Sequence, residues 1–128
     1  MLVVLGRCLE TEKPWALEEL KKLIGGDYAV LTACPEAEHI NMIGFKLAGM
    51  LARLPSIEEV VVLTTDGSMH CVQLHYVVEE LERIMPGRFR RRHMVATREG
   101  LVEVSAEAVK TSRFLARVEK ILRGGGRG

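Results

Sequence analysis

At 128 residues, 48% hydrophobic and 27% charged, the chain has the length and composition of one globular domain, able to bury a core without disulfide staples. A net charge of +1 argues against a general affinity for nucleic acid, and no stretch approaches the roughly 18 apolar residues of a membrane span. Three cysteines, an odd number, fit free or metal-bound thiols better than a disulfide framework.

The opening run Met1 to Leu5 is too short for a signal-peptide core and carries no basic leader, so a cytoplasmic protein is expected. Arg outnumbers Lys two to one and charges recur on the helix faces, a pattern shared with thermophile proteins.

Leu2-Val3-Val4-Leu5-Gly6 is an apolar run of strand length, and its two-sided apolarity suits the middle of a parallel sheet. Thr11 or Glu12 can cap a helix that tolerates Pro14 in its first turn, buries Trp15, Leu17, Leu20, Leu23 and Ile24, and stops at Gly25-Gly26. Tyr28 to Thr32 repeats the strand pattern and ends at Ala33-Cys34. Pro35 then fits the first helical position, and Gly44 with Ala48 gives the second helix a flat strip for close packing.

The third unit is the most informative. Glu59 to Thr65 reads as a buried strand, Asp66-Gly67-Ser68 as a turn and cap, and the following segment as a helix carrying Leu74, Val77, Val78, Leu81 and Ile84 until Pro86-Gly87. The period then changes. Arg88 to Thr97 and Leu101 to Val104 read as a hairpin around Arg98-Glu99-Gly100, Ser105 can cap one last helix, and the glycine-rich tail 124–128 is expected to be disordered. The expected fold is a three-layer α/β domain over 1–123. Its mostly parallel sheet of three β-α units is extended by the C-terminal hairpin and the final helix.

Ligands of such sheets bind beyond the carboxyl ends of the strands, and all three cysteines fall there. Cys8, Cys34 and Cys71 could converge if their strands are neighbours, and His75 shares a helix face with Cys71. Three thiolates and an imidazole suit zinc, or an iron-sulfur cluster with one distinctive iron. The plainer alternative is that the thiols are small buried hydrophobes. Cys34 could also be a reactive thiol at a helix N-terminus, with His39 or His70 as its base.

Asp66, Gly67, Ser68 and His70 form the second candidate site, for a small anion such as a phosphate or nucleotide. Neither G-x-G-x-x-G nor a P-loop occurs, so a nucleotide would bind without the usual glycine loop. Arg88, Arg90, Arg91, Arg92 and His93 are the one basic cluster. On a strand Arg90 and Arg92 point away from Arg91, so they make a patch only at an exposed edge; edge protection or a partner surface are the alternatives. No base-stacking array accompanies them, which argues against RNA.

The segments Thr32 to Glu38 and Thr65 to His75 resemble those of a family of small uncharacterised prokaryotic α/β proteins, some labelled iron-sulfur or ferredoxin-like. Cys34-Pro35 is also similar to the Cys-Pro pair that opens a helix beside a cluster in the small iron-sulfur subunit of NADH-quinone oxidoreductases, although the paired cysteines of its first strand are absent here. These resemblances imply one cysteine-lined site and no particular reaction. The leading expectation is therefore a cytoplasmic metal- or iron-sulfur-binding protein, redox or accessory in role. A small-ligand module with structural cysteines and a homo-oligomeric interaction protein with a basic edge are the alternatives.

Overall fold

Strand β1 (Leu2–Gly6) is buried at every position, as its two-sided apolar run requires. In the computed structural model, which describes residues 1–125, it lies between β2 (Ala29–Ala33) and β3 (Glu59–Thr65), parallel to both. Strand β4 (Arg90–Thr97) continues the parallel sheet beside β3, and β5 (Gly100–Val104) closes the hairpin antiparallel to it, giving the order β2-β1-β3-β4-β5. The expected sheet and C-terminal hairpin are thus present.

Alternate side chains of β1 build the two faces. Val3 and Leu5 pack with Val61, Leu63 and Met94 against α1 (Leu9–Glu12) and α2 (Trp15–Ile24). Leu2 and Val4 pack with Val60 and Val62 against α3 (Ile40–Arg53) and α4 (Val72–Ile84). Gly44 provides the expected close approach between these helices, since a Cβ built there would lie 3.6 Å from Val77.

Three local expectations change. Cys34 and Pro35 do not open a helix: the Ala37 and Glu38 amides donate to the Cys34 carbonyl in a separate turn, and α3 begins only at Ile40, where the His39 ring caps the Asn41 amide at 3.2 Å. Cys34 therefore has no helix N-terminus to activate it. The basic strand is not an edge, because β4 lies between β3 and β5. Its cations are taken up within the chain: Arg88 donates to the carbonyls of Leu51, Leu54 and Ile57, while Arg90, Arg91 and Arg92 pair with Glu59, Glu79 and Glu103.

The last helix is two helices, α5 (Ala106–Thr111), capped by Ser105 as expected, and α6 (Leu115–Gly125). Between them the Ser112 hydroxyl donates to the Val109 carbonyl at 2.8 Å, the kind of local bond that bends helices. Of the tail expected to lack structure, Gly124 and Gly125 end α6 and 126–128 lie outside the described residues. No helix is long and apolar enough to cross a membrane, among the described residues.

Leu47 is 1% exposed at the centre of the α3 layer. Leu47→Ala should cost about 2–5 kcal/mol in urea unfolding, from lost transfer energy and a residual cavity.

Candidate functional site

The strand order makes a crevice at one place. The chain leaves β1 toward the α1 face and leaves β3 toward the α4 face, so the neighbouring strand ends diverge there. Cys8 follows β1 and precedes α1, Cys71 precedes α4, and their sulfurs meet in this crevice at 3.3 Å. Gly6 makes room: a Cβ on it would lie 3.2 Å from the Cys71 sulfur, tighter than ordinary contact. Cys8 is partly exposed and Cys71 only 4% exposed. Burial pushes the Cys8 thiol up to about 12, with the hydrogen bond to Cys71 and the nearby Glu12 carboxylate acting in the same direction, so Cys8 is protonated at neutral pH.

The loop between β3 and α4 positions Cys71. Gly67 takes φ +88°, a conformation that favours glycine, and the Ser68 hydroxyl accepts from the Cys71 amide at 3.1 Å. Ser68 is thus a cap, and its carbonyl also accepts from the Val72 amide. The Asp66 amide donates to the Ala96 carbonyl at 3.0 Å, so Asp66 and Ser68 serve as turn and cap in the loop that also carries Gly67 and His70. His70 faces Glu36 at 3.9 Å, both largely exposed. Lys13 reaches across from α1 and donates to the Thr65 hydroxyl at 2.7 Å.

Of the four expected metal ligands, Cys8 and Cys71 come together and His75 does not join them. No group of three or more His, Cys, Asp or Glu side chains able to hold a metal converges among the described residues. His75 is 3% exposed and spends both ring nitrogens elsewhere, Nε2 on the Thr64 hydroxyl at 2.8 Å and Nδ1 on His93 Nδ1 at 2.9 Å. His93 Nε2 donates to Glu79 at 2.7 Å, and Arg91 binds the same carboxylate through two bonds of 2.6 and 3.0 Å.

This chain has one consistent proton order. Glu79, ionised and paired with Arg91, only accepts, so His93 donates from Nε2 and accepts at Nδ1. His75 must then donate from Nδ1 and accept at Nε2, which the Thr64 hydroxyl supplies. Both rings are neutral. Burial drives His75 down to about 3, reinforced by His93 and opposed by Glu79, and burial likewise lowers His93 more than its bond to Glu79 raises it. Burial pushes the Glu79 carboxyl up, but the bonds from Arg91 and His93 outweigh this and hold it below the usual carboxylate range.

Sequence reading left Thr64, Glu79 and this role of His93 unseen. One signal was available: His75 and Glu79, four residues apart, lie on the buried face of α4 among Leu74, Val78 and Leu81.

Sheet order, layers and crevice define an α/β protein of the kind that binds ligands at strand carboxyl ends. The chain matches the family described as a Rossmann-like domain over residues 1–123, and it belongs to that family. No curated protein and no solved structure matches it. The loop after β1 lacks the glycine fingerprint of a dinucleotide-binding turn: Gly6 is its only glycine, and the amides of Glu10, Thr11 and Glu12 bond back to Arg7 and Cys8.

Two outcomes follow from the buried chain. A histidine held neutral in the fold contributes stability that is present above its unfolded pKa of 6.5 and is lost as pH falls through about 3. The urea midpoint should therefore drop between pH 6.5 and 3. Glu79→Ala, which leaves Arg91 and His93 without their acceptor, should cost about 3–5 kcal/mol at pH 7 in the same assay.

Proposed function

We propose that the protein is a thiol-disulfide redox module whose working groups are Cys8 and Cys71. The single observation that carries this reading is the 3.3 Å approach of their sulfurs at the crevice where a sheet of this order takes its ligands. A disulfide needs a separation near 2.05 Å, reached by a modest shift of Cys8, which lies outside regular strand.

The difference in exposure assigns the roles. Cys8, the outer thiol, attacks an external disulfide R–S–S–R, loses its proton to solvent, forms Cys8–S–S–R and releases R–S⁻, which takes up a proton. Cys71, the inner thiol, then attacks the Cys8 sulfur, expels the second R–S⁻ and completes the intrachain disulfide. Two thiols are oxidised and one external disulfide is reduced to two thiols. Because the thiolate is the nucleophile and Cys8 is protonated at neutral pH, the first step is slow there and quickens as pH rises.

The zinc and iron-sulfur expectations find less support. Tetrahedral zinc at about 2.3 Å from two sulfurs would hold them about 3.8 Å apart, and further ligands would have to come from outside this pair. Redox work needs only the two groups that do converge.

Treating the reduced protein with glutathione disulfide should link Cys8 to Cys71, mapped by peptide mass with Cys34 alkylated, and Cys34→Ser should behave alike. The rate should rise about tenfold per pH unit from 7 to 9. Mixed disulfides confined to Cys34 would sink the proposal, as would stoichiometric zinc on the purified protein. Gly6→Ala, whose methyl presses on Cys71, should slow closure and cost about 1–3 kcal/mol.

A further inference from the structure

Helix α6 has a sorted sequence and no place in the core. At about 100° per residue, Phe114, Leu115, Val118, Ile121 and Leu122 fall within an arc of about 120°, and Arg117, Glu119, Lys120 and Arg123 occupy the remainder of the surface. In a globular protein an arc of this kind is normally buried. Here Leu115 is 80% and Leu122 64% exposed, Phe114 and Ile121 are half-exposed, and none of the five belongs to either core cluster.

The chain is held to the body where this helix begins, through Ser112 to Tyr76 at 2.9 Å and Arg113 to Glu80 at 3.2 Å. Beyond that point only Val118 is even half-buried among the described residues. A helix of 11 residues is marginal in water without packing on one face, so its apolar arc needs a cover.

We infer that α6 lies in the interface of an anionic phospholipid bilayer, with the apolar arc among the acyl chains and the cations at the headgroups. Charge selects this partner. The helix carries three cations and one acid, and Arg123 takes up Glu119 at 2.9 Å. Arg117 and Lys120 are left without a carboxylate among the described residues, and both lie on the flank of the arc that Ile121 borders. The Arg117 guanidinium stands 5.8 Å over the Phe114 ring. Long stems at such a border stay against apolar groups while the charged heads reach lipid phosphates.

Other covers fit less well. A second copy of this chain would set the same excess of cations against itself, and a helix about 16 Å long is too small by itself for the roughly 1,200 Å² of a stable interface. Nucleic acid would meet the cations and leave the apolar arc in water. The same length falls far short of the roughly 20 residues that span a bilayer, so α6 lies on the surface without crossing it. None of this depends on the chemistry of the thiols.

Co-sedimentation of the full chain with vesicles tests the proposal, using phosphatidylcholine alone and phosphatidylcholine mixed with an equal part of phosphatidylglycerol. Binding to the anionic vesicles should be about tenfold or more tighter than to the neutral ones and should weaken as sodium chloride is raised. Arg117→Gln with Lys120→Gln should weaken it about tenfold. Leu115→Ala with Leu122→Ala should do at least as much through the lost apolar contact. All four side chains are exposed, so both variants should keep the parent urea midpoint. Absence of binding, equal binding to the two kinds of vesicle, or binding that survives loss of both leucines overturns the proposal. So does a dimer in sedimentation equilibrium that Leu115→Ala with Leu122→Ala dissociates, because a second copy then covers the arc.

Discussion

Everything distinctive in this protein depends on β1 being hydrogen-bonded in parallel to both β2 and β3. Parallel neighbours need crossover connections, and a right-handed crossover from β2 to β3 must pass over β1. With β1 in the middle, helices are required on both faces, and the strand must be apolar on both sides. The same arrangement parts the loops after β1 and β3 and puts Cys8 and Cys71 on opposite walls of one crevice. Gly6 completes it, since even a methyl there would press on the Cys71 thiol at 3.2 Å.

Next to this crevice the core holds polar groups that a purely structural seam between α4 and β4 would not need. Burying a carboxylate and a guanidinium is expensive, and apolar residues of similar volume often serve as well. Here the cost is offset by complete pairing: Glu79 accepts from Arg91 and His93, and each histidine has a partner at both nitrogens. Because Glu79 can only accept, every proton in the chain has a defined position.

Much of the architecture was legible in the residues. The apolar runs at Leu2 to Gly6 and Glu59 to Thr65 are strands, the Asp66-Gly67-Ser68 turn and the Ser105 cap act as expected, and the hairpin closes near Gly100. Local signals failed where tertiary contacts compete with them. Pro35 suits a helix start, yet the Cys34 carbonyl and the His39 ring form a separate turn and cap first. The arginines of β4 looked like an edge because a strand segment carries no label for its neighbours, and only the pairing with β3 and β5 shows that they lie inside the sheet.

The site divides along the same line. Periodicity and turn chemistry are properties of neighbouring residues, so the sequence by itself determined the elements, their order and the gathering of all three cysteines at strand ends. Which cysteines meet depends on strand order and on the direction each loop takes, which are long-range properties. Tertiary structure decided that Cys8 and Cys71 touch. It also decided that His75, four residues beyond Cys71, turns instead toward Thr64 and His93, because both its nitrogens find buried partners there and none at the thiols.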